Sequence, residues 1–129
     1  MTHPNETLVR NGYEAFAKGD MQTVNDLFAD DIVWHVPGRS QLAGDYKGKD
    51  QVFDFFSKLI NESGGTFQQE VHDVIANDEH AIVMVTFSAE RGGNRFQDHN
   101  VHVLHVQGGK VTEFWGYAED QYGEDQFWG

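Results

Sequence analysis

The hydrophobic pattern predicts an α+β domain with helices first and a mostly antiparallel sheet after them. Three observations carry this reading. Through the first half, apolar side chains recur at spacings of three and four, whereas from Thr66 onward four runs carry strand-like patterning. The joints between those runs are short turn signals, Asn77-Asp78-Glu79, Gly92-Gly93-Asn94 and Gly108-Gly109, which oblige successive strands to run antiparallel. No linker, repeat or low-complexity tract interrupts the 129 residues, so residues 1–129 read as one domain.

Taken in order, "NETLVRNGYEAFAKGD" places Leu8, Val9, Tyr13, Phe16 and Ala17 on one stripe, and Pro4 suits a first helical turn. Gly19-Asp20 ends this helix and offers Asp20 as the N-cap of a second, whose apolar face is Met21, Val24, Leu27 and Phe28. "DDIVWHVPG" is a first strand stopped by Pro37-Gly38, and a polar loop follows it. "KDQVFDFFSKLINESGG" is a third helix, with Val52, Phe55, Phe56 and Leu59 inward and Gly64-Gly65 as its stop. "TFQQEVHDVIAN", "HAIVMVTFSAE", "RFQDHNVHVLHV" and "KVTEFWGYAED" are the remaining strands. Three helices on one face of a strongly curved sheet leave a cone open at one end, an architecture that encloses a pocket.

Composition narrows the function. A net charge of −12, from 21 acidic and nine basic residues, repels phosphates and anionic lipids, so neither nucleic acid nor a membrane is expected as a partner. The acids are scattered and read as a solvated surface. The chain has no cysteine, which removes disulfides and thiolate metal sites. No apolar run approaches a membrane span and the N-terminus lacks a secretory pattern, so a cytoplasmic location is expected. Ten phenylalanines suit a small fold that must line a wide interior.

The segments "LFADDIVWHVPG", "LAGDYKGKD" before the third helix, and "GKVTEFW" in the last hairpin resemble the SnoaL-like branch of the NTF2-like superfamily, and the resemblance spans essentially the whole chain. It implies the NTF2-like cone, an apolar pocket between the helices and the concave face of the sheet, and a homodimer through the convex face. It also implies a small hydrophobic, ring-bearing ligand and cofactor-independent acid–base chemistry of isomerase, cyclase or dehydratase type, with no metal. The alternative is a ligand-binding or interaction module that has lost the catalytic acid.

Matched by landmarks, the aspartate that ketosteroid isomerases place before the proline of the first strand falls on Val36. Their oxyanion tyrosine falls on Gly12, beside Tyr13, and their second oxyanion acid on His102. Polyketide cyclases of the family use a histidine that matches His102 and an aspartate whose position is Gly116. Paired histidines, as in dehydratases of this fold, keep His72 and His102 of interest. Known catalytic sets are thus incomplete here, and an acid that cannot be supplied by Val36 or Gly116 cannot move a proton.

Strand alternation assigns the rest. If Val36 faces the pocket, so does Trp34, while His35 turns to the convex side. His102 shares its face with Asn100 and Leu104, and His99 and His105 lie opposite, so the three histidines of "DHNVHVLHV" do not converge on a metal. Phe114, Gly116 and Ala118 share one face and Trp115 and Tyr117 the other, and the family resemblance implies that the first of these faces inward. His72 shares parity with Gln68, Glu70 and Val74, and faces the pocket if that strand is regular. The expected ligand-binding set is therefore Phe16, Trp34, Val36, Phe55, His72, Phe87, Phe114, Gly116 and Ala118. The expected catalytic pair is His102, titrating near neutrality, and Asp120, the nearest carboxylate beyond the last strand.

Overall fold

A computed structural model describes residues 2–129. Helix α1 (Pro4–Lys18) starts at His3, whose ring accepts from the Asn5 amide, and stops where Gly19 turns left-handed at φ 75°. Helix α2 (Met21–Leu27) is capped by the Asp20 carboxylate, which accepts from the Thr23 amide at 3.2 Å. Gly12 lets α1 and α2 touch: a Cβ there would lie 2.5 Å from Cδ2 of Leu27. Strand β1 (Phe28–Val36) follows directly.

Two elements escape the sequence pattern. The polar loop after Pro37 contains a short strand, β2 (Gly44–Lys47), antiparallel to β1. The segment after the last strand, to which the pattern assigns no element, forms a fourth helix, α4 (Gln121–Trp128). Between them run α3 (Gly48–Glu62), β3 (Gln68–Ala76), β4 (His80–Arg91), β5 (Asn94–Gln107) and β6 (Lys110–Ala118), in the anticipated order.

The six strands form one sheet in the order β2-β1-β6-β5-β4-β3. All neighbours are antiparallel except β1 and β6, which run parallel. Helices α1 and α3 pack on opposite halves of the concave face, against β3–β4 and β1–β2, and α4 leans on β5 and β6. Val9, Ile32, Val52, Val83 and Val111 are sealed where these layers meet. Each such side chain contributes about 1.5–3 kcal/mol by leaving water. Among the described residues no helix is long and apolar enough to cross a membrane.

β3 is irregular. Its register against β4 slips between Val71 and Asp73, a bulge centred on His72. Before the bulge Gln69 and Val71 are the more buried residues; after it the buried residue is Val74. His72 is exposed, which corrects the expectation that it lines the pocket: the extra residue reverses the parity on which that reading depended.

Candidate ligand cavity and its polar groups

Between the helices and the sheet lies a cavity of about 150 Å³, similar to an engineered apolar cavity that accepts benzene. Its wall is built mainly from rings. Phe16 of α1 meets Phe56 of α3 edge-on at 5.1 Å. Trp34 of β1 lies flat on Phe114 of β6, centroids 3.7 Å apart and planes within 4°, because Trp34 and Phe114 are register partners in the parallel pair. Phe55 and Phe87 add to the aromatic lining, and Val36, Gly116 and Ala118 also face the cavity. All the anticipated lining residues except His72 therefore border one space.

Gly116 leaves to the cavity the volume that a side chain would fill. A Cβ there would sit 3.4 Å from Cδ of Pro37 and 3.6 Å from the ring of Phe114, in ordinary contact.

His102 is 6% exposed and borders the cavity from β5. Its Nδ1 and the Tyr13 hydroxyl of α1 share a hydrogen bond at 2.5 Å, and Phe114 meets its ring edge-on at 4.7 Å. Burial pushes the imidazole down to about 3 and the Tyr13 phenol upward, so both are neutral at physiological pH. The expectation that His102 titrates near neutrality is revised accordingly: it is an uncharged hydrogen-bonding group. Among the described residues its Nε2 has no hydrogen-bond partner, and it is not sealed from the cavity.

A second polar group enters from α4. Glu124 borders the cavity and approaches Asn100 and Asp98, which lie on the same face of β5 as His102. With its amide oriented to suit both neighbours, Asn100 donates to Glu124 Oε2 at 2.7 Å and to the His99 carbonyl at 3.0 Å. Asp98 is buried, and its carboxylate accepts from the backbone amides of His99 at 2.9 Å and Asp120 at 3.1 Å. Those two amides occupy both carboxyl oxygens of Asp98. Burial, then the hydrogen bond and charge of Asp98, push Glu124 up to about 9, against the opposing pull of Asn100. Glu124 is therefore a neutral carboxylic acid at pH 7, as expected when two carboxyl groups share a site.

Asp120 does not join this group. It is exposed and caps α4, accepting from the Gly123 amide at 2.9 Å. The carboxyl group brought to the cavity stands one helical turn further on. Asn100 follows from parity with His102, and the same parity extends to Asp98, which the sequence reading does not single out; Glu124 lies on a helix that the pattern does not predict.

On the opposite face of the sheet, His35 is held at both nitrogens, by Asp45 at 2.7 Å and Glu113 at 2.6 Å, and lies against Trp115. The Glu113 hydrogen bond, opposed by some burial, raises its pKa. His99 and His105 lie on that outer face too, as the alternation required.

A SnoaL-like domain model matches residues 9–114, and the chain belongs to that family. An uncharacterized protein of Mycobacterium tuberculosis is 30% identical over 122 residues, covering 94% of this chain and 93% of its own length. Among solved structures, Bal32a from a soil-derived mobile gene cassette superimposes with a TM-score of 0.93 at 38% identity, over 97% of this chain and 96% of that one. TerC, co-crystallized with polyporic acid, has a TM-score of 0.83 at 19% identity, over 95% and 98% of the two chains, a likeness of fold. The fold is the NTF2-like one.

Proposed function

We propose that this chain binds a small hydrophobic, ring-bearing molecule in its cone and performs cofactor-independent proton transfer on it, with Glu124 as the proton carrier. The observation that carries this reading is a carboxyl group kept in its acid form beside an aromatic-walled cavity. A neutral acid at pH 7 can give its proton to a ligand oxygen, and the carboxylate so formed can take the proton that leaves carbon, which restores the acid form at the end of the step. Neutral His102 and Tyr13 supply the second polar contact without placing an uncompensated charge among the rings. Isomerase, cyclase and dehydratase chemistry all draw on such a set. That TerC is co-crystallized with polyporic acid supports a ring-bearing ligand. A homodimer through the outer sheet face fits the exposure of Ile82, Val101 and Tyr117 there.

The test uses 2-tetralone, a bicyclic ketone with exchangeable α-hydrogens. Binding is followed by thermal shift, and α-proton exchange into D₂O by NMR. The wild type should accelerate exchange over buffer, and Glu124→Gln should lose about a hundredfold or more of that acceleration while still binding. Binding with no acceleration would favour the non-catalytic module, a reading supported by the absence of acids at Val36 and Gly116. No binding would remove the pocket reading itself.

A further inference from the structure

The direction of the proton in the Tyr13–His102 hydrogen bond decides what the cavity wall offers a ligand. The Tyr13 hydroxyl lies 2.5 Å from Nδ1 of His102 and has no other partner among the described residues. The imidazole is 6% exposed, borders the cavity, and has no hydrogen-bond partner at Nε2 among the described residues. Phe114 stands edge-on to the ring at 4.7 Å and limits its rotation.

Two arrangements of the protons are open to this neutral pair. If the phenol donates to Nδ1, the hydroxyl proton has its acceptor and the imidazole proton sits on Nε2. If Nδ1–H donates to the phenol oxygen instead, the hydroxyl proton is left with no acceptor among the described residues, and a hydrogen bond goes unmade. Acid strength favours the first arrangement as well. A phenol is a stronger acid than a neutral imidazole N–H, and an imidazole nitrogen is a stronger base than a phenol oxygen. The hydrogen bond made at one ring nitrogen thereby sets the state of the other.

We propose that Tyr13 locks His102 in its Nε2–H tautomer, so that the cavity wall presents a neutral hydrogen-bond donor and the ligand meets it with a carbonyl oxygen. This rests on the pocket reading above and names the ligand group that His102 recognises. A carbonyl accepts and brings no proton of its own. A hydroxyl accepting from Nε2–H would keep a proton in need of a partner among the rings, and a ring N–H would set donor against donor. A carbonyl oxygen has two lone pairs, so the bond from Nε2–H leaves one for the acid of Glu124. Tyr13 is a positioning residue in this arrangement, acting through His102.

The experiment reads the tautomer first, on the full chain with isotope-labelled histidine at pH 7. Long-range proton–nitrogen NMR separates a protonated ring nitrogen (pyrrole-type) from an unprotonated one (pyridine-type), and His102→Phe identifies the His102 signals by their loss. Free wild type should show Nε2 pyrrole-type and Nδ1 pyridine-type; the reverse would overturn the lock. Tyr13→Phe keeps the ring and removes only the hydroxyl, and it should move Nε2 partway toward the pyridine-type position. An unchanged spectrum in that variant would remove Tyr13 from the role.

Three probes of similar size then test the ligand class: 2-indanone, which only accepts; indole, whose N–H only donates; and indane, which does neither. Wild type should bind 2-indanone about two- to tenfold more tightly than indane, the worth of one hydrogen bond, and 2-indanone alone should displace the Nε2 signal. That displacement should persist in Glu124→Gln, which separates the contact from the acid. Tyr13→Phe should lower the preference for 2-indanone over indole, because its His102 is free to present either tautomer. A bound 2-indanone that leaves Nε2 unmoved, or an indole that moves it equally, would overturn the carbonyl assignment and leave the pocket reading standing. Failure of all three probes to bind folded wild type would overturn the pocket reading and the ligand class with it, while the spectrum of the free protein still decides the lock.

Discussion

Replacing Glu124 by Gln should leave stability close to wild type at pH 5 and raise it above wild type at alkaline pH. In the unfolded chain a glutamate ionises near 4.5; in the folded chain Glu124 holds its proton up to about 9. Between those values the unfolded state has released a proton that the native state keeps, so stability falls as pH rises. The contribution is fully present below 4.5 and is lost as pH passes through 9. At ~1.36 kcal/mol per pH unit a sealed carboxyl would forfeit about 6 kcal/mol over that interval. Glu124 is only partly shielded at the cavity mouth, and solvent screening brings the expected loss to about 3 kcal/mol.

Gln is close in shape to the protonated acid: its oxygen can accept from Asn100 and its amide can donate to Asp98. Wild type and Glu124→Gln should therefore match within about 1 kcal/mol at pH 5 and differ by about 3 kcal/mol, in the variant's favour, at pH 9. Urea unfolding at both pH values, with unchanged m-values, measures this directly, and a difference of about 10 °C in Tm should accompany it at pH 9. Other groups that titrate in this range, His35 included, cancel in the comparison. A variant equally destabilised at pH 5 and pH 9, or indistinguishable from wild type at both, would refute the acid-form assignment.

Two further outcomes are expected. The imidazole of His102, held near 3, should show no NMR titration between pH 5 and 8, and its contribution to stability should be lost as pH falls from 6.5 toward 3; a midpoint near 6.5 would contradict its burial. Asp120→Ala should cost about 1 kcal/mol by uncapping α4, as read from the urea midpoint, with 2-tetralone exchange reduced only as far as the helix frays; complete loss of exchange in a fully folded variant would restore Asp120 to a chemical role.

Much of this arrangement is legible in the sequence because it follows from period. The stripe of α1 places Phe16, and the alternation of β5 and β6 groups His102 with Asn100 and Gly116 with Ala118, while the family resemblance says which of those faces turns inward. His72 was misplaced because a bulge carries no residue signature in "EVHDV"; it is seen only when β3 is set against β4. Glu124 was missed for a different reason. "QYGEDQFW" has a glycine in its interior and a weak apolar stripe, and eight residues do not make a stable helix by propensity alone. It is the burial of Trp128 and the Gly123–Asp120 cap that hold it, and only the cap was visible, as an aspartate three residues before a glycine. Tyr13 was read as part of a helical stripe, and its bond to His102 spans 89 residues, beyond any local pattern.

The placement of α4 has an evolutionary consequence. The sheet and the first three helices form the rings and the Tyr13–His102 pair, while the acid arrives on a short segment at the end of the chain. Changes within those eight residues can add, remove or move a proton donor without disturbing the register of a single strand. A lineage built this way could shift between carrier and catalyst, or from one ring to another, by altering its last helix and keeping the rest.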